Sequence, residues 1–381
     1  MVFSNPVEIA PISLSELTTL RTGAAPERML QVSTSAELVE ALRETWARGD
    51  EWFVLGGGSN LFVGDESFEG TVIRVLTRGI DELPSPHQGR VRLRAQAGHS
   101  WDALVAHAVE RGYAGLEAMS GIPGTVGAAP VQNIGAYGQE IQETLVEVEL
   151  IDESTGEISV VPAAELGLGF RTSVLKHHYG GEPLRRAVIL SVTVDLHVAN
   201  ERVVRGDQLR RALGLQDDAP VPLAWVRERI LATRASKGML LDEHDPDTHG
   251  VGSFFQNAVV PEAVARALPA ECPQWPVAPD LDAVTVIPLA SYDGLLPTPR
   301  HEASDVKVSA AWLIEQAGIG KGFKLPRSRA SVSTKHALAL TNRGGATAGE
   351  VAELARFIQS RVHAEFGLVL QPEPVLVGVE L

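Results

Sequence analysis

The segment from Gly56 to Asn60, Gly-Gly-Gly-Ser-Asn, is the first candidate for binding chemistry. It follows the apolar run Trp52–Leu55, and a second extended run, Leu61–Val63, follows it. A dinucleotide-binding fingerprint needs glycines that open a helix, so this context argues against that interpretation. Backbone N–H groups in such a loop can still form an anion-binding nest. A plain tight turn is an equally good interpretation of this segment alone.

A longer stretch between Gly121 and Gly138 is dense in glycine and proline. Glycines let a large flat ligand approach the backbone and permit the positive φ values that direct N–H groups inward. Gln132 and Asn133 add amide donors and acceptors. Long irregular segments are either functional loops or mobile connectors. Well-patterned strands nearby in the chain, at Val146–Ile151 and Ala187–Leu196, favour a functional loop.

The elements that must position these loops can be predicted from capping residues and apolar spacing. Thr34 with Glu37 is a capping box, and Gly49 ends that helix. Further helices are predicted from Ser100 to Gly112, around Leu223–Ile230, around Ala310–Ala317, and from the Thr347/Glu350 capping box to Val362. Two prolines predict that a final strand, Leu368–Leu381, bends or lies at a sheet edge. The Pro- and Asp-rich segment Ala267–Ser304 predicts a surface insertion.

Composition excludes several classes of protein. The chain has 381 residues and 44% hydrophobic residues, which predicts two or three globular units. A net charge of -15 argues against a nucleic-acid partner. The single cysteine, Cys272, allows neither an intrachain disulfide nor a thiolate metal cluster, and no metal is expected. No signal peptide or membrane-spanning run is evident, so we expect a cytoplasmic protein with no membrane association.

The two glycine-rich loops resemble those of the UDP-N-acetylenolpyruvoylglucosamine reductase (MurB) family, in the vanillyl-alcohol-oxidase-like superfamily of FAD-binding proteins. Other segments match the family in the same order along the chain. They are Thr18–Gly23, Gly169–Ser173, Gly252–Asn257, Ala311–Gly318 and Gln371–Glu373. Any one of these matches could arise by chance, but the ordered series, from about residue 17 to the end, is specific.

This resemblance implies an α+β fold. A two-lobed FAD-binding module of PCMH type, residues 1–80 and 81–215, would precede an α+β substrate-binding domain, residues 216–381, whose last strand can return to the first lobe. It implies noncovalent FAD, NADPH as co-substrate and a small-molecule UDP-sugar as substrate. The implied reaction reduces UDP-N-acetylglucosamine enolpyruvate to UDP-N-acetylmuramate for peptidoglycan precursor synthesis. We expect the protein to be a monomer.

The resemblance also assigns roles to individual residues. Arg171 would bind the substrate carboxylate and stabilise the negative charge that follows hydride addition, which suits a guanidinium. Ser253 would donate a proton, and Glu373, predicted to be protonated, would help to polarise the carboxyl group. The predicted FAD contacts are Gly56, Gly57, Gly58, Ser59, Asn60, Ile122, Pro123, Gly124, Gly127, Ala128, Asn133, Gly135, Ala136 and Tyr137. The predicted substrate contacts are Lys237, Asn257, Gln316 and Arg205.

Two positions depart from the family pattern. Arg205 precedes Gly206-Asp207 where the longer class of the family has a tyrosine, and Phe170 replaces a tyrosine that often precedes the catalytic arginine. Two other functions stay open at this point. One is a flavin oxidase of the same superfamily that acts on an alcohol or sugar, and the other is a non-catalytic UDP-sugar binder.

Overall fold

The structure is a computed structural model that describes residues 6–204, 207–218, 220–277 and 305–381. Both helices and sheets build it, and the fold class is α+β as predicted. The helices are α1 Ser35–Arg48, α2 Trp101–Glu110, α3 Asp207–Leu213, α4 Leu223–Ser236, α5 Glu262–Ala267, α6 Ala310–Gln316 and α7 Ala348–Phe366. The strands are β1 Val7–Ile9, β2 Arg28–Val32, β3 Trp52–Leu55, β4 Leu61–Val63, β5 Thr71–Val75, β6 Ile80–Pro84, β7 Arg90–Gln96, β8 Tyr113–Ala114, β9 Gly135–Ala136, β10 Gln139–Glu140, β11 Leu145–Asp152, β12 Ile158–Pro162, β13 Ala187–Val198, β14 Glu201–Val203, β15 Pro220–Pro222, β16 Ala258–Pro261, β17 Gln274–Pro276, β18 Asp305–Val308, β19 Ala330–Val332, β20 Leu340–Asn342 and β21 Val375–Val377.

Local capping explains where the two long predicted helices begin. The Thr34 hydroxyl accepts a hydrogen bond from the Glu37 N–H at 3.2 Å, and α1 ends before Gly49, whose φ is 71°. At α7 the Thr347 hydroxyl and the Glu350 carboxylate satisfy each other's backbone N–H groups, as a capping box requires. Both helix starts are confirmed.

A four-stranded sheet with the order β1-β2-β5-β3 holds the first glycine-rich loop. Its strands β2, β5 and β3 run parallel, and α1 covers it through Leu38 and Leu42, which pack with Ile73. The loop from Gly56 to Asn60 connects β3 to β4. It therefore leaves the sheet at the carboxyl end of a parallel strand, where ligands commonly bind.

A larger antiparallel sheet with the order β12-β11-β13-β7-β6 supports the second glycine-rich stretch. Short 3-10 turns at Val126–Ala128 and Pro130–Gln132 replace the irregular loop that the composition predicted. Val126 and Ile134 are buried with Trp101 of α2 and Val192 of β13. The few apolar residues of the stretch thus fix it to the sheet, and its glycines are available to contact a ligand.

The C-terminal part builds its own core around α6 and α7, in which Phe254, Phe255 and Leu313 are buried. Phe62 from the first part joins the same core. The predicted terminal strand is shorter than expected: only Val375–Val377 forms a strand, because Pro372 and Pro374 lack the N–H groups that a ladder needs. It pairs in parallel with β4.

Part of the predicted insertion, residues 278–304, lies outside the described residues. Its described beginning forms β17, which pairs with β18 in a three-stranded sheet. Among the described helices, none combines the length and the hydropathy needed to cross a membrane.

Candidate active site

A cavity of about 760 Å³ lies where the two glycine-rich segments meet. Its lining includes most of the predicted cofactor contacts, namely Gly56, Gly57, Gly58, Ser59, Asn60, Ile122, Pro123, Gly124, Gly127, Ala128 and Gly135. The three predicted catalytic residues, Arg171, Ser253 and Glu373, line the same cavity. Segments that are distant in the sequence therefore converge on one space.

The two glycine-rich segments touch so closely that side chains cannot fit between them. A Cβ atom on Gly57 would lie 2.7 Å from the Cα of Gly124, and one on Gly56 would lie 2.4 Å from Oγ1 of Thr125. The Ser59 hydroxyl donates to the carbonyl of Pro123 at 3.0 Å, which joins the segments. Bare backbone here can approach a large planar ligand, and its N–H groups suit a diphosphate. These residues fit FAD.

Arg171 lies in a four-residue turn between Gly169 and Thr172, with a φ of 55°. A left-handed conformation is unfavourable for a residue with a Cβ, and such residues occur often at functional sites. The guanidinium donates to the carbonyls of Asn133 at 3.1 Å and Gly135 at 2.7 Å. These hydrogen bonds offset the cost of the left-handed conformation and hold the guanidinium charge at the cavity wall.

Ser253 and Glu373 are brought together by backbone pairing. The N–H of Glu373 donates to the carbonyl of Phe254 at 2.9 Å, and Phe255 forms an antiparallel bridge with Pro372. Phe254 and Phe255 are buried, so this pairing is anchored in the C-terminal core. The half-buried Ser253 precedes them and lines the cavity.

Glu373 contacts two cations, one through its carboxyl group and one through its backbone carbonyl. Its Oε1 lies 3.5 Å from Nε of Arg171, and the Lys176 ammonium donates to its backbone carbonyl at 2.9 Å. The Glu373 side chain is only 17% exposed. Burial raises the pKa of Glu373 above its usual value, although Arg171 and Lys176 both act to lower that pKa. A raised pKa means that this carboxyl group stays protonated to a higher pH than a carboxyl group in water.

Other predicted contacts lie elsewhere. Asn133 is fully buried, and its amide binds the carboxylate of Glu140 and the carbonyl of Gly169, both at 2.9 Å. It therefore shapes the wall behind Arg171, and its side chain cannot reach a ligand. Ala136 and Tyr137 are half-buried, but neither lines the cavity.

The predicted substrate contacts are not among the lining residues either. The exposed Lys237 has its ammonium 5.6 Å from the centre of the Tyr137 ring. The side-chain oxygen of Asn257 accepts from the N–H of Ala310 at 3.0 Å and so caps α6. Gln316 is exposed at the end of α6. Arg205 lies outside the described residues.

Sequence reasoning missed three cations. Lys176 and Arg234 are buried and line the cavity. Lys307, at the end of the insertion, places its ammonium 4.3 Å from the centre of the Phe170 ring, whose neighbour is Arg171. The only sequence signal was the distance of Lys176 from the Gly169–Ser173 motif, three residues. No group of three or more metal-binding side chains occurs within the described ranges.

Comparisons with known proteins agree with these observations. A family model for the C-terminal domain of UDP-N-acetylenolpyruvoylglucosamine reductase matches residues 245–377, and one for an FAD binding domain matches residues 26–161. The UDP-N-acetylenolpyruvoylglucosamine reductase of Leifsonia xyli is 50% identical, with 97% of this chain and 99% of that protein aligned. The reductase of Saccharopolyspora erythraea is 45% identical over 97% and 95% of the two chains. The crystal structure of the reductase from Thermus caldophilus covers 98% of this chain and 99% of its own, with a TM-score of 0.62 and 24% identity, and so shares the fold.

Proposed function

Since the chain belongs to the UDP-N-acetylenolpyruvoylglucosamine reductase family, we propose that it reduces UDP-N-acetylglucosamine enolpyruvate to UDP-N-acetylmuramate with NADPH. The observation that supports this best is the convergence of Arg171, Ser253 and Glu373 on the cavity formed by the two glycine-rich segments. FAD bound there would supply the hydride chemistry between NADPH and C3 of the enolpyruvyl group.

We assign FAD binding to the Gly56–Asn60 loop and to the lining residues between Ile122 and Gly135. Their missing side chains leave room for a flat ring system and a diphosphate. The side chain of Asn133 acts on the cofactor only indirectly, because it holds Glu140 and Gly169.

Arg171 stabilises the negative charge that develops on the substrate carboxylate when hydride arrives at the neighbouring double bond. Two of its five N–H groups bind backbone carbonyls, and its Nε faces Glu373. The remaining N–H groups of the terminal nitrogens are the proposed donors to the substrate carboxylate. One of these nitrogens, Nη1, also lies 3.7 Å from Oε1 of Glu140. Charge fixed in advance at this point is a large catalytic contribution.

Ser253 donates the proton that completes the reduction at C2. A serine hydroxyl is a weak acid, so its transfer needs cations or a relay nearby. Arg171 and the buried Lys176 line the same cavity and are the proposed cations for this transfer. The buried aromatic pair Phe254 and Phe255, with ring centres 5.1 Å apart, limits water on the other side of Ser253.

Glu373 keeps the substrate carboxyl polarised together with Arg171. The raised pKa favours its protonated form, which can donate a hydrogen bond to a carboxylate rather than repel it. Lys237, the amide N–H groups of Asn257, and Gln316 remain proposed contacts of the UDP-sugar, together with Arg205.

The finer organisation is also proposed. Residues 1–80 and 81–215 form the FAD-binding lobes, and residues 216–381 form the substrate domain. The pairing of β21 with β4 supports the return of the last strand to the first lobe. We further propose a cytoplasmic monomer that binds neither nucleic acid nor membranes.

Anaerobic stopped-flow absorbance on the purified protein tests the reaction. NADPH is expected to bleach the yellow flavin, and UDP-N-acetylglucosamine enolpyruvate is expected to restore the colour. A protein purified with flavin that oxidises alcohols with oxygen and ignores the enolpyruvyl substrate would be an oxidase instead. A colourless protein that binds UDP-sugars but does not bind added FAD would be a non-catalytic binder.

A further inference from the structure

Lys176 is a buried cation that contacts the backbone of Glu373. Lys176 is 3% exposed and lines the cavity. The ammonium donates to the backbone carbonyl of Glu373 at 2.9 Å and to the side-chain oxygen of Gln132 at 3.1 Å. Buried ammonium groups are costly unless they are hydrogen-bonded to acceptors, and here two acceptors are provided.

The same amide oxygen connects the ammonium to the first glycine-rich loop. Oε1 of Gln132 accepts a second hydrogen bond from the side chain of Asn60 at 2.7 Å. Asn60, Gln132 and Glu373 belong to three distant segments of the chain, and Lys176 is the charged centre that their contacts share. Loss of this centre would remove the connection between the Glu373 backbone and Gln132 of the second glycine-rich segment.

We propose that Lys176 is a positioning residue for Glu373, which fixes the backbone that carries the carboxyl group. This inference rests on the proposed function. Two of its three N–H groups bind protein oxygens, one of them on Glu373, so its main effect should pass through the position of Glu373. Its removal should therefore lower kcat and leave KM nearly unchanged.

The charges around Lys176 predict a pH dependence. Burial lowers the pKa of Lys176 to about 8, although Glu373 acts to raise it. On the neighbouring segment, the pKa of His178 is lowered by burial, by Lys176 and by His177, so this histidine is neutral near pH 8. The other charged group at Glu373 is Arg171, whose Nε lies 3.5 Å from the carboxyl group. As pH rises through about 8, Lys176 loses its charge, its hydrogen bonds weaken, and kcat should fall.

Steady-state kinetics over a range of pH, with NADPH and UDP-N-acetylglucosamine enolpyruvate, test this inference. We expect Lys176→Met to lower kcat about 10²-fold, the cost of a misplacement near 1 Å, with no step near pH 8. Lys176→Arg keeps a charge that does not titrate. It should retain most of the activity and also lack the step. Lys324→Met, at an exposed lysine, is the control and should behave as the wild type.

Flavin absorbance of each variant reports whether the site still forms. If Lys176→Met loses its flavin, the pH profile of Lys176→Arg decides the matter. A step near pH 8 that persists in Lys176→Arg, or a wild-type kcat in Lys176→Met, overturns the role of Lys176. Wild-type protein that fails to turn over would instead overturn the proposed function.

Discussion

Replacing Gly57 by alanine should weaken FAD binding, because the new methyl group has no space. Its Cβ would lie 2.7 Å from the Cα of Gly124, whereas carbon atoms in contact are normally about 3.5–4.0 Å apart. Gly124 cannot easily retreat, since its carbonyl accepts from the N–H of Trp101 at 3.1 Å at the start of α2. The two glycine-rich segments must therefore move apart by roughly 1 Å.

Overpacking of this kind costs about 1–3 kcal/mol. If the spacing of the two segments is what FAD recognises, the cost appears in the binding equilibrium. A loss of 1–3 kcal/mol corresponds to a rise in Kd of about 5- to 150-fold. The backbone of Gly57 does not have a positive φ, so steric overlap is the only effect of the added methyl group at this position.

Flavin fluorescence titration of the apoprotein measures this Kd. Gly181→Ala is the matched control, because a Cβ at Gly181 meets no atom within 4 Å and its φ is not positive. The control should bind FAD within about 2-fold of the wild type, well inside the 0.5 kcal/mol expected of a neutral surface change. If Gly57→Ala binds FAD as tightly as the control, the proposed cradle is not the cofactor site.

Three further substitutions separate the roles of the catalytic residues. Arg171→Lys cannot reproduce the paired bonds to the Asn133 and Gly135 carbonyls, so kcat/KM in steady-state assays should fall by about 10²–10³-fold. Ser253→Ala should leave bleaching of the flavin by NADPH unchanged but slow the return of colour with the enolpyruvyl substrate at least 10²-fold, as stopped-flow absorbance can show. Glu373 has a raised pKa, so its protonated form should be lost as pH rises through that pKa, and kcat with it. Glu373→Gln should lack this decline in its pH–rate profile. If its profile matches that of the wild type, the proton on Glu373 has no role in the reaction.

Local elements of the fold could be predicted from the sequence because their causes lie within a few residues. The cap at Thr34 needs only the N–H of Glu37, three positions later, and the cap at Thr347 is equally local. Most of the predicted final strand does not form, since its two prolines have no backbone N–H group to donate to a neighbouring strand. Its surviving part, Val375–Val377, depends on β4, more than 300 residues earlier.

The parts of the candidate site that depend on exposed backbone could be predicted from the sequence. The roles of side chains that become buried in the fold could not. Glycines in two loops indicated a close approach to a ligand, and the lining of the cavity includes most of them. Asn133 seemed equally suited to touch a ligand, but its φ of 45° and full burial turn its amide towards Glu140. Lys176 could not be predicted from the sequence, because its partner Glu373 lies 197 residues later.

The first glycine-rich loop and the catalytic carboxyl group are mechanically connected. The carbonyl of Asn60 accepts from the N–H of Val375 at 2.9 Å, while its side chain binds Gln132. Only one residue separates Val375 from Glu373, so the position of the carboxyl group is set by the loop that we assign to FAD. Any movement of that loop must then reach Glu373 through two short paths, the backbone at Val375 and the ammonium of Lys176. Because both paths end at Glu373 or two residues from it, we expect cofactor binding to affect the placement of the Glu373 carboxyl group.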